Sequence, residues 1–170
     1  MYRVIALGLA VYSFVVIDRN IPRLPARIPT HFNSAGNPNA WGSPDSLWFL
    51  LVIQVLGTGL FLTIPHLGRR YPRAVNLGLR KLSDFPPAAR ERIMPLLEDM
   101  CGAMGLLFSF LFAALIRETI RVATSPGARL APWLIWLFLG GNALTLFYYL
   151  RRINCETKEN SRPDSPTPIP

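Results

Sequence analysis

Residues 24–43, LPARIPTHFNSAGNPNAWGS, form a polar, turn-rich stretch with a strongly hydrophobic run on either side. Two prolines in its first half exclude a helix interior and favour extended backbone at the residues before them. Gly36 and Pro38 belong to a turn sequence, because glycine tolerates a positive φ and proline fixes its own φ. Trp41 suits the headgroup level of a bilayer. The stretch therefore predicts an ordered loop, residues 21–45, between two membrane-spanning helices.

The charged residues of the 170-residue chain are few and unevenly placed. They make up 16% of the sequence, whereas about a quarter is usual in soluble domains. A helix needs about 20 apolar residues to cross a bilayer core, and backbone polar groups in lipid must be satisfied within the chain. We therefore predict an all-α, polytopic membrane fold. Its four transmembrane helices are expected at approximately residues 1–20, 46–65, 99–117 and 130–150.

The segments that join the predicted spans differ in composition. Residues 66–98 form a basic connection, and residues 154–170 form a polar, proline-rich tail that we predict to be disordered. The predicted membrane domain thus covers residues 1–153. We expect Ser43 to cap the second helix and Pro65 to end it.

The placement of Lys and Arg predicts the orientation in the membrane. Two thirds of these residues lie at the N-terminus, in the basic connection and in the tail. Because positively charged loops stay in the cytoplasm, we predict cytoplasmic N- and C-termini and an external 21–45 loop. The chain has a formal net charge of +8, and most of its basic residues lie in the segments that flank the predicted spans. Bases set between apolar runs do not form the basic face of a nucleic-acid-binding domain, so we expect no nucleic-acid partner.

Few residues of the chain suit catalysis. His31 is the one residue of catalytic type at the centre of the loop, and no carboxylate lies between Asp18 and Asp45. A nucleophile, base and orienting group are therefore not present together. Cys101 and Cys155 are isolated in sequence and give no metal-ligand spacing. We expect no catalytic residue, no metal, no cofactor and no enzymatic activity.

Polar residues within the predicted spans suggest contacts between helices. Gln54 and Thr58 are four residues apart and share one helix face, and Asn142 and Thr145 form a second polar pair. Polar side chains in lipid usually hydrogen-bond to a neighbouring helix, so we interpret all four as helix-packing residues. The alternative is that they line a transport path.

Small residues recur every four positions in the third predicted span, at Gly105, Ser109 and Ala113. Such a stripe lets another helix approach closely. We therefore expect this face to be a packing face.

The loop resembles the signature of a known family. The residues that carry the resemblance are Leu24, Pro25, Ile28, Pro29, His31, Phe32, Asn33, Gly36, Pro38, Trp41, Gly42 and Ser43. They resemble the motif of a bacterial membrane family of unknown function, whose domain forms the N-terminal part of SdpI-type toxin-immunity and signalling proteins. The chain differs from the usual motif at Pro44, where the family often has lysine. The resemblance is strongest over residues 24–64 and implies a multi-pass protein of the bacterial inner membrane.

The residues and the resemblance together lead to three functional hypotheses. In the first, the chain is a non-enzymatic sensor or immunity-type protein, whose external loop binds a peptide or lipid-associated ligand. The proposed ligand-binding residues are His31, Phe32, Asn33, Gly36, Pro38 and Trp41. The basic connection would bind anionic lipid or a cytoplasmic protein through Arg69, Arg70, Arg73, Arg80 and Lys81. The second hypothesis is a component of a transporter, and the third is a structural membrane subunit.

Overall fold

The computed structural model describes residues 1–77 and 81–159, with side chains as far as residue 156. Four α-helices follow one another along the chain, with a β-hairpin between the first two. The helices are α1 (Tyr2–Asn20), α2 (Ser46–Arg70), α3 (Pro87–Thr124) and α4 (Trp133–Glu159), and the strands are β1 (Ile28–Phe32) and β2 (Pro38–Gly42). Short 3-10 helices lie at Ile21–Arg23, Pro72–Ala74 and Leu82–Asp84.

All four α-helices are long and apolar enough to cross a membrane, as predicted. Large apolar side chains are exposed on the outside of the bundle, among them Val11, Leu56, Leu60, Leu144 and Phe147. In a bilayer this surface faces acyl chains, whereas in water it would be unfavourable. The chain is therefore a multi-pass membrane protein. The prediction of an all-α fold is wrong for the loop, which pairs as two antiparallel strands.

Helix α3 is the centre of the bundle and contacts each of the other three helices. Gly105, Ser109 and Ala113 are all buried, so the predicted stripe is a packing face. A Cβ atom at Gly105 would lie 3.0 Å from the Cβ of Phe61 on α2. The glycine thus lets α2 and α3 approach more closely than a larger residue would allow.

A buried hydrogen-bond network joins α1, α2 and α3 at one point. The Nε2 of Gln54 donates to the hydroxyl of Ser109 (3.0 Å) and to its carbonyl oxygen (3.1 Å). The Ser109 hydroxyl in turn donates to the carbonyl oxygen of Ala6 (3.2 Å). Gln54 and Ser109 are fully buried, and interhelical bonds of this kind contribute about 0.6–2 kcal/mol each in membranes.

Two apolar clusters close the bundle at opposite ends. At one end, Ile28 of the hairpin packs with residues of α1, α2 and α3: Ile17, Leu47, Ile116 and Ile120. At the other end, residues of the connection and of early α3, including Leu82, Phe85 and Ile93, pack with Tyr149 and Ile153 of α4. Tyr2 also lies at this second end, since it contacts Gly102. The first residues of α1 and the last turns of α4 are therefore at the same end of the bundle.

The bounds of α2 and α3 differ from those expected from the sequence. Helix α2 begins at Ser46 with Asp45 as N-cap, and Ser43 instead accepts a hydrogen bond from the Asp45 backbone N–H in the preceding turn. The helix continues through Pro65 as far as Arg70. An interior proline removes one backbone hydrogen bond, but the Pro65 side chain is buried, and its packing offsets that loss. Helix α3 likewise takes up the last third of the predicted 66–98 connection.

Helix α4 extends beyond the predicted span and into the predicted disordered tail, as far as Glu159. Tyr149 and Ile153 are buried in the second apolar cluster. Packing of these side chains therefore continues the helix where composition alone predicted its end. The remaining part of the predicted tail, residues 160–170, lies outside the described residues.

The network at Ser109 leads to a prediction about stability. Gln54→Leu and Ser109→Ala should each lower the free energy of unfolding in detergent by about 1 kcal/mol, because each removes a buried hydrogen bond between helices. Combining them should show a coupling energy of roughly 0.6–1.7 kcal/mol in a double-mutant cycle. Thr145→Val is the matched control, since its hydroxyl bonds to Gly141 of its own helix. If Gln54→Leu coupled as strongly to Thr145→Val as to Ser109→Ala, the coupling would not come from the hydrogen bond between Gln54 and Ser109.

Candidate functional site

The hairpin that contains the sequence motif is built around an asparagine turn. The side-chain oxygen of Asn33 accepts hydrogen bonds from the backbone N–H groups of Ala35 (3.0 Å) and Asn37 (2.9 Å). Gly36 has a φ of 77° and donates its N–H to the Asn33 carbonyl oxygen. Asparagine and glycine suit these positions because one bonds to nearby backbone and the other has no Cβ to clash at positive φ. The turn then brings Phe32 opposite Pro38.

The hairpin is fixed to the bundle at its tip and at its base. At the tip, the N–H of Leu130, between α3 and α4, donates to the carbonyl oxygen of Gly36 (2.9 Å). A Cβ atom at Gly36 would lie 2.2 Å from the carbonyl oxygen of Leu130, so only glycine fits there. At the base, Ile28 is fully buried against α1, α2 and α3. Because both ends are held, the hairpin presents its exposed side chains from a rigid position.

A cleft of about 480 Å³ lies between the hairpin and the turn that joins α3 to α4. One wall is formed by Asn37, Pro38 and Trp41, and the other by residues 122–129. The Trp41 side chain is 50% exposed, although indole rings are usually well covered in folded proteins. This cleft is the candidate functional site.

The second wall of the cleft is held in place by an arginine. The guanidinium group of Arg121 donates to the carboxylate of Glu118 (2.7 Å) and to the carbonyl oxygen of Arg129 (2.6 Å). These bonds join the last turns of α3 to the residues that precede α4. The Arg129 side chain is exposed and makes no ion pair with any residue that the structure describes. The cleft thus offers an aromatic ring and one cation, which suits an apolar side chain next to an anionic group.

The six loop residues that the sequence suggested as ligand-binding do not all lie in the cleft. Pro38 and Trp41 line it, whereas His31, Phe32, Asn33 and Gly36 are not among its lining residues. Asn33 and Gly36 instead form and dock the turn. His31 has its Nδ1 2.5 Å from the side-chain oxygen of Asn39. This contact joins β1 to β2.

The sequence reasoning did not find the second wall of the cleft. Ser125, Pro126 and Gly127 have the composition of a turn, but no local pattern indicates that this turn faces a hairpin more than 80 residues earlier in the chain. The structure also places Asn37 in the first wall.

The polar residues of the spans do not converge on one path. Gln54 and Thr58 are buried in α2, and Gln54 bonds to α3. The Asn142 side chain donates to the carbonyl oxygen of Phe138 (2.9 Å), and the Thr145 hydroxyl to that of Gly141 (2.8 Å), so both bond within α4. Of the hydrogen bonds that the structure records for these four side chains, only those of Gln54 join two helices, as expected.

The basic connection lies at the opposite end of the bundle from the cleft. Arg69 forms an ion pair with Glu98 of α3, and Arg70 donates to the hydroxyl of Tyr71 (3.2 Å). Arg73 and Lys81 are exposed, whereas Arg80 lies outside the described residues. The two histidines are far apart in the fold, since His66 lies 3.3 Å from the Arg3 guanidinium at this end. Within residues 1–77 and 81–159, no group of His, Cys, Asp or Glu is arranged to hold a metal ion.

Comparison with known proteins covers about a third of the chain. Residues 4–55 match a family described as Domain of unknown function (DUF1648). The DUF1648-like segment contains α1, the hairpin and the first turns of α2. It therefore includes the first wall of the cleft and not the second. Searches of curated proteins and of solved structures returned no match.

Docking of the hairpin tip leads to a second prediction. Gly36→Ala should lower the melting temperature and speed hydrogen exchange of the hairpin amides, because its Cβ would clash with the Leu130 carbonyl. Gly127→Ala is a matched control: its φ is 75°, yet a Cβ there has no neighbour within 4 Å. Both variants carry the strain of a left-handed residue, roughly 1–2 kcal/mol. If Gly127→Ala were as destabilising as Gly36→Ala, the docking contact would not explain the effect.

Proposed function

We propose that the chain is a non-enzymatic membrane sensor or immunity-type protein whose cleft binds a peptide or lipid-associated ligand. The observation that carries the proposal is the half-exposed Trp41 on a hairpin that is held at both ends beside a cleft. A rigid aromatic residue at the edge of a cleft is typical of a binding anchor, since little conformational entropy is lost on binding. Arg129 on the facing wall would bind the ligand's anionic group.

The resemblance of the hairpin to the N-terminal domain of SdpI-type proteins supports the immunity role. The residues of the resemblance divide into those that form the hairpin, such as Asn33 and Gly36, and those that it presents, such as Pro38 and Trp41. We propose on the same basis that the protein lies in a bacterial inner membrane. The hairpin would be outside and both termini in the cytoplasm, in accordance with the Lys and Arg distribution.

The proposed orientation can be tested by labelling whole cells with a membrane-impermeant thiol reagent. Cys101 and Cys155 are first replaced by serine, and single cysteines are then placed at two exposed positions, Ser34 in the hairpin turn and Asn76 in the basic connection. Ser34→Cys should react in intact cells, and Asn76→Cys only after lysis. The reverse pattern would place the hairpin in the cytoplasm and remove the basis for an external ligand.

The immunity role itself can be tested by survival. The chain is expressed in bacteria that are sensitive to a secreted membrane-active peptide toxin, and survivors are counted after exposure. Wild type should protect, and Trp41→Ala should reduce protection at a given toxin dose, because loss of an anchor worth about 2 kcal/mol weakens binding roughly thirtyfold. Trp136→Ala is the matched control, since Trp136 is 72% exposed on α4 and is not among the cleft's lining residues.

Two outcomes of the survival assay would count against the immunity role. Full protection by Trp41→Ala at normal protein levels would show that the cleft is not the binding site. Equal survival with and without the wild-type chain, over toxins of this class, would leave the proposal without support.

A transport role is the second candidate, and buried polar groups favour it. The hydroxyls of Ser13 and Thr58 and the side-chain oxygen of Gln54 are buried without a hydrogen-bond partner among the described residues. Unpaired polar groups on α1 and α2 could line a path for a polar solute. Since Asn142 and Thr145 bond within α4, the observations favour the sensor or immunity role over transport.

A further inference from the structure

The end of the bundle opposite the cleft extends beyond the length of a membrane span. Helix α3 has 38 residues and is about 57 Å long at about 1.5 Å per residue, whereas the hydrocarbon core of a bilayer is about 30 Å thick. Its first turns carry Arg90, Glu91 and Arg92 and pack with the 3-10 helix Leu82–Asp84 through the second apolar cluster. The connection and the first turns of α3 thus form a small unit, here called the basic domain, at the surface of the membrane.

A pocket of about 450 Å³ lies in this basic domain, and we name it the arginine pocket. Its lining residues are Arg70, Tyr71, Pro72, Arg73, Ser83 and Arg90. They include three guanidinium groups and no carboxylate. The residues come from the end of α2, from the connection and from the first turns of α3, so the fold brings together positions that are 20 residues apart in sequence.

The acidic residues near the arginine pocket are engaged elsewhere or lie outside it. Glu98 pairs with Arg69. Asp84 accepts hydrogen bonds from the backbone N–H of Lys81 (2.8 Å) and from the hydroxyl of Ser83 (3.2 Å). Glu91 lines a neighbouring groove. The positive charge of the pocket is therefore not neutralised by any described carboxylate in its lining.

One of the lining residues, Arg90, has a buried donor without a described partner. The Nε of Arg90 is inaccessible to solvent and makes no hydrogen bond to any residue that the structure describes. A buried N–H without an acceptor is unfavourable. Because this atom is inaccessible, Arg90 contributes to the pocket through its positive charge. Arg70 is oriented differently, since its Nε bonds to the Tyr71 hydroxyl and its guanidinium carbon lies 5.8 Å from the centre of that ring. The pocket thus combines the charge of Arg90 with that of Arg70, which is hydrogen-bonded to Tyr71.

We propose that the arginine pocket binds the phosphomonoester headgroup of a membrane lipid. A phosphomonoester has three terminal oxygens and a charge of about −1.5 to −2 at neutral pH, which matches three guanidinium groups. A phosphodiester has only two free oxygens and one charge, and so fits the pocket less well. This inference deepens the anionic-lipid interaction proposed for the basic connection, and it does not depend on the ligand of the hairpin cleft.

An adjacent groove favours a lipid over free phosphate. This groove has a volume of about 600 Å³ and shares Pro72 and Arg90 with the arginine pocket. Its lining contains the apolar side chains of Leu82, Met94 and Pro95 and also the charged side chains of Arg69 and Glu91. A ligand with a phosphate in the pocket could lay its apolar part along the groove. Free phosphate would leave the groove unused.

The test measures binding of fluorescent phosphatidate to the full chain in phosphatidylcholine nanodiscs at physiological salt. Arg90→Gln and Arg73→Gln should each weaken binding roughly tenfold, because each removes a charge-assisted hydrogen bond. Arg92→Gln is the matched control: it removes the same charge from an exposed position on α3 that does not line the pocket, and should change binding less than about twofold. Arg73 is exposed, so its variant remains informative if Arg90→Gln does not fold.

Two competitors distinguish the possible ligands. Phosphatidylglycerol at the same surface charge should compete poorly, and inorganic phosphate should displace the probe only at much higher concentration. Equal competition by phosphatidylglycerol, or equal losses in Arg92→Gln and Arg90→Gln, would show diffuse attraction to the surface and overturn the proposal. Inorganic phosphate as effective as phosphatidate would show that no lipid is required. Trp41→Ala should leave phosphatidate binding unchanged. A failure of the cleft proposal can therefore be distinguished from a failure of the arginine-pocket proposal.

Discussion

Close approach of helix backbones along the small residues of α3 is the constraint on which the rest of this structure depends. Lipid is as apolar as the helix surfaces, so burial of apolar area does not drive the helices together as it does in water. Close packing of α2 against Gly105 and the hydrogen bonds at Ser109 hold the helices together instead. Both ends of α3 then serve as platforms: one holds the hairpin and the facing wall of the cleft, and the other holds the arginine pocket.

The cleft is made by two parts of the chain with different relationships to known proteins. The DUF1648-like segment supplies the hairpin and its anchoring residue Ile28, whereas the facing wall comes from residues 122–129, outside the match. A protein with the same hairpin and a different second wall would present a different surface to a ligand. Similarity to this family therefore indicates the scaffold of the cleft and leaves its ligand to be determined by the rest of the chain.

Much of the bundle could be predicted from the sequence, because the free energy of burying peptide groups in lipid permits little except helices of a set length. The hairpin could not be predicted, since each five-residue strand contains a proline and resembles a loop when pairing across the turn is unknown. The continuation of α2 through Pro65 and of α4 to Glu159 depends on tertiary packing that no local pattern shows. For the same reason Trp41 was identified as a ligand-binding candidate, but Val122 and Arg129 were not, since only the fold places them beside it.

The hydrogen bond from Leu130 to Gly36 has a thermodynamic consequence for the whole bundle. Leu130 lies just before α4, and the far end of α4 packs through Ile153 into the apolar cluster that includes Leu82, beneath the basic domain. Helix α4 therefore connects the hairpin tip with the packing beneath the basic domain, and it would couple the two ends only if a ligand moved it. Linkage is reciprocal, so occupation of either end changes the affinity of the other by the same factor whenever α4 has two positions of similar free energy. A single backbone hydrogen bond thus places the start of α4 beside the hairpin at one end, while the packing of α4 reaches the basic domain at the other.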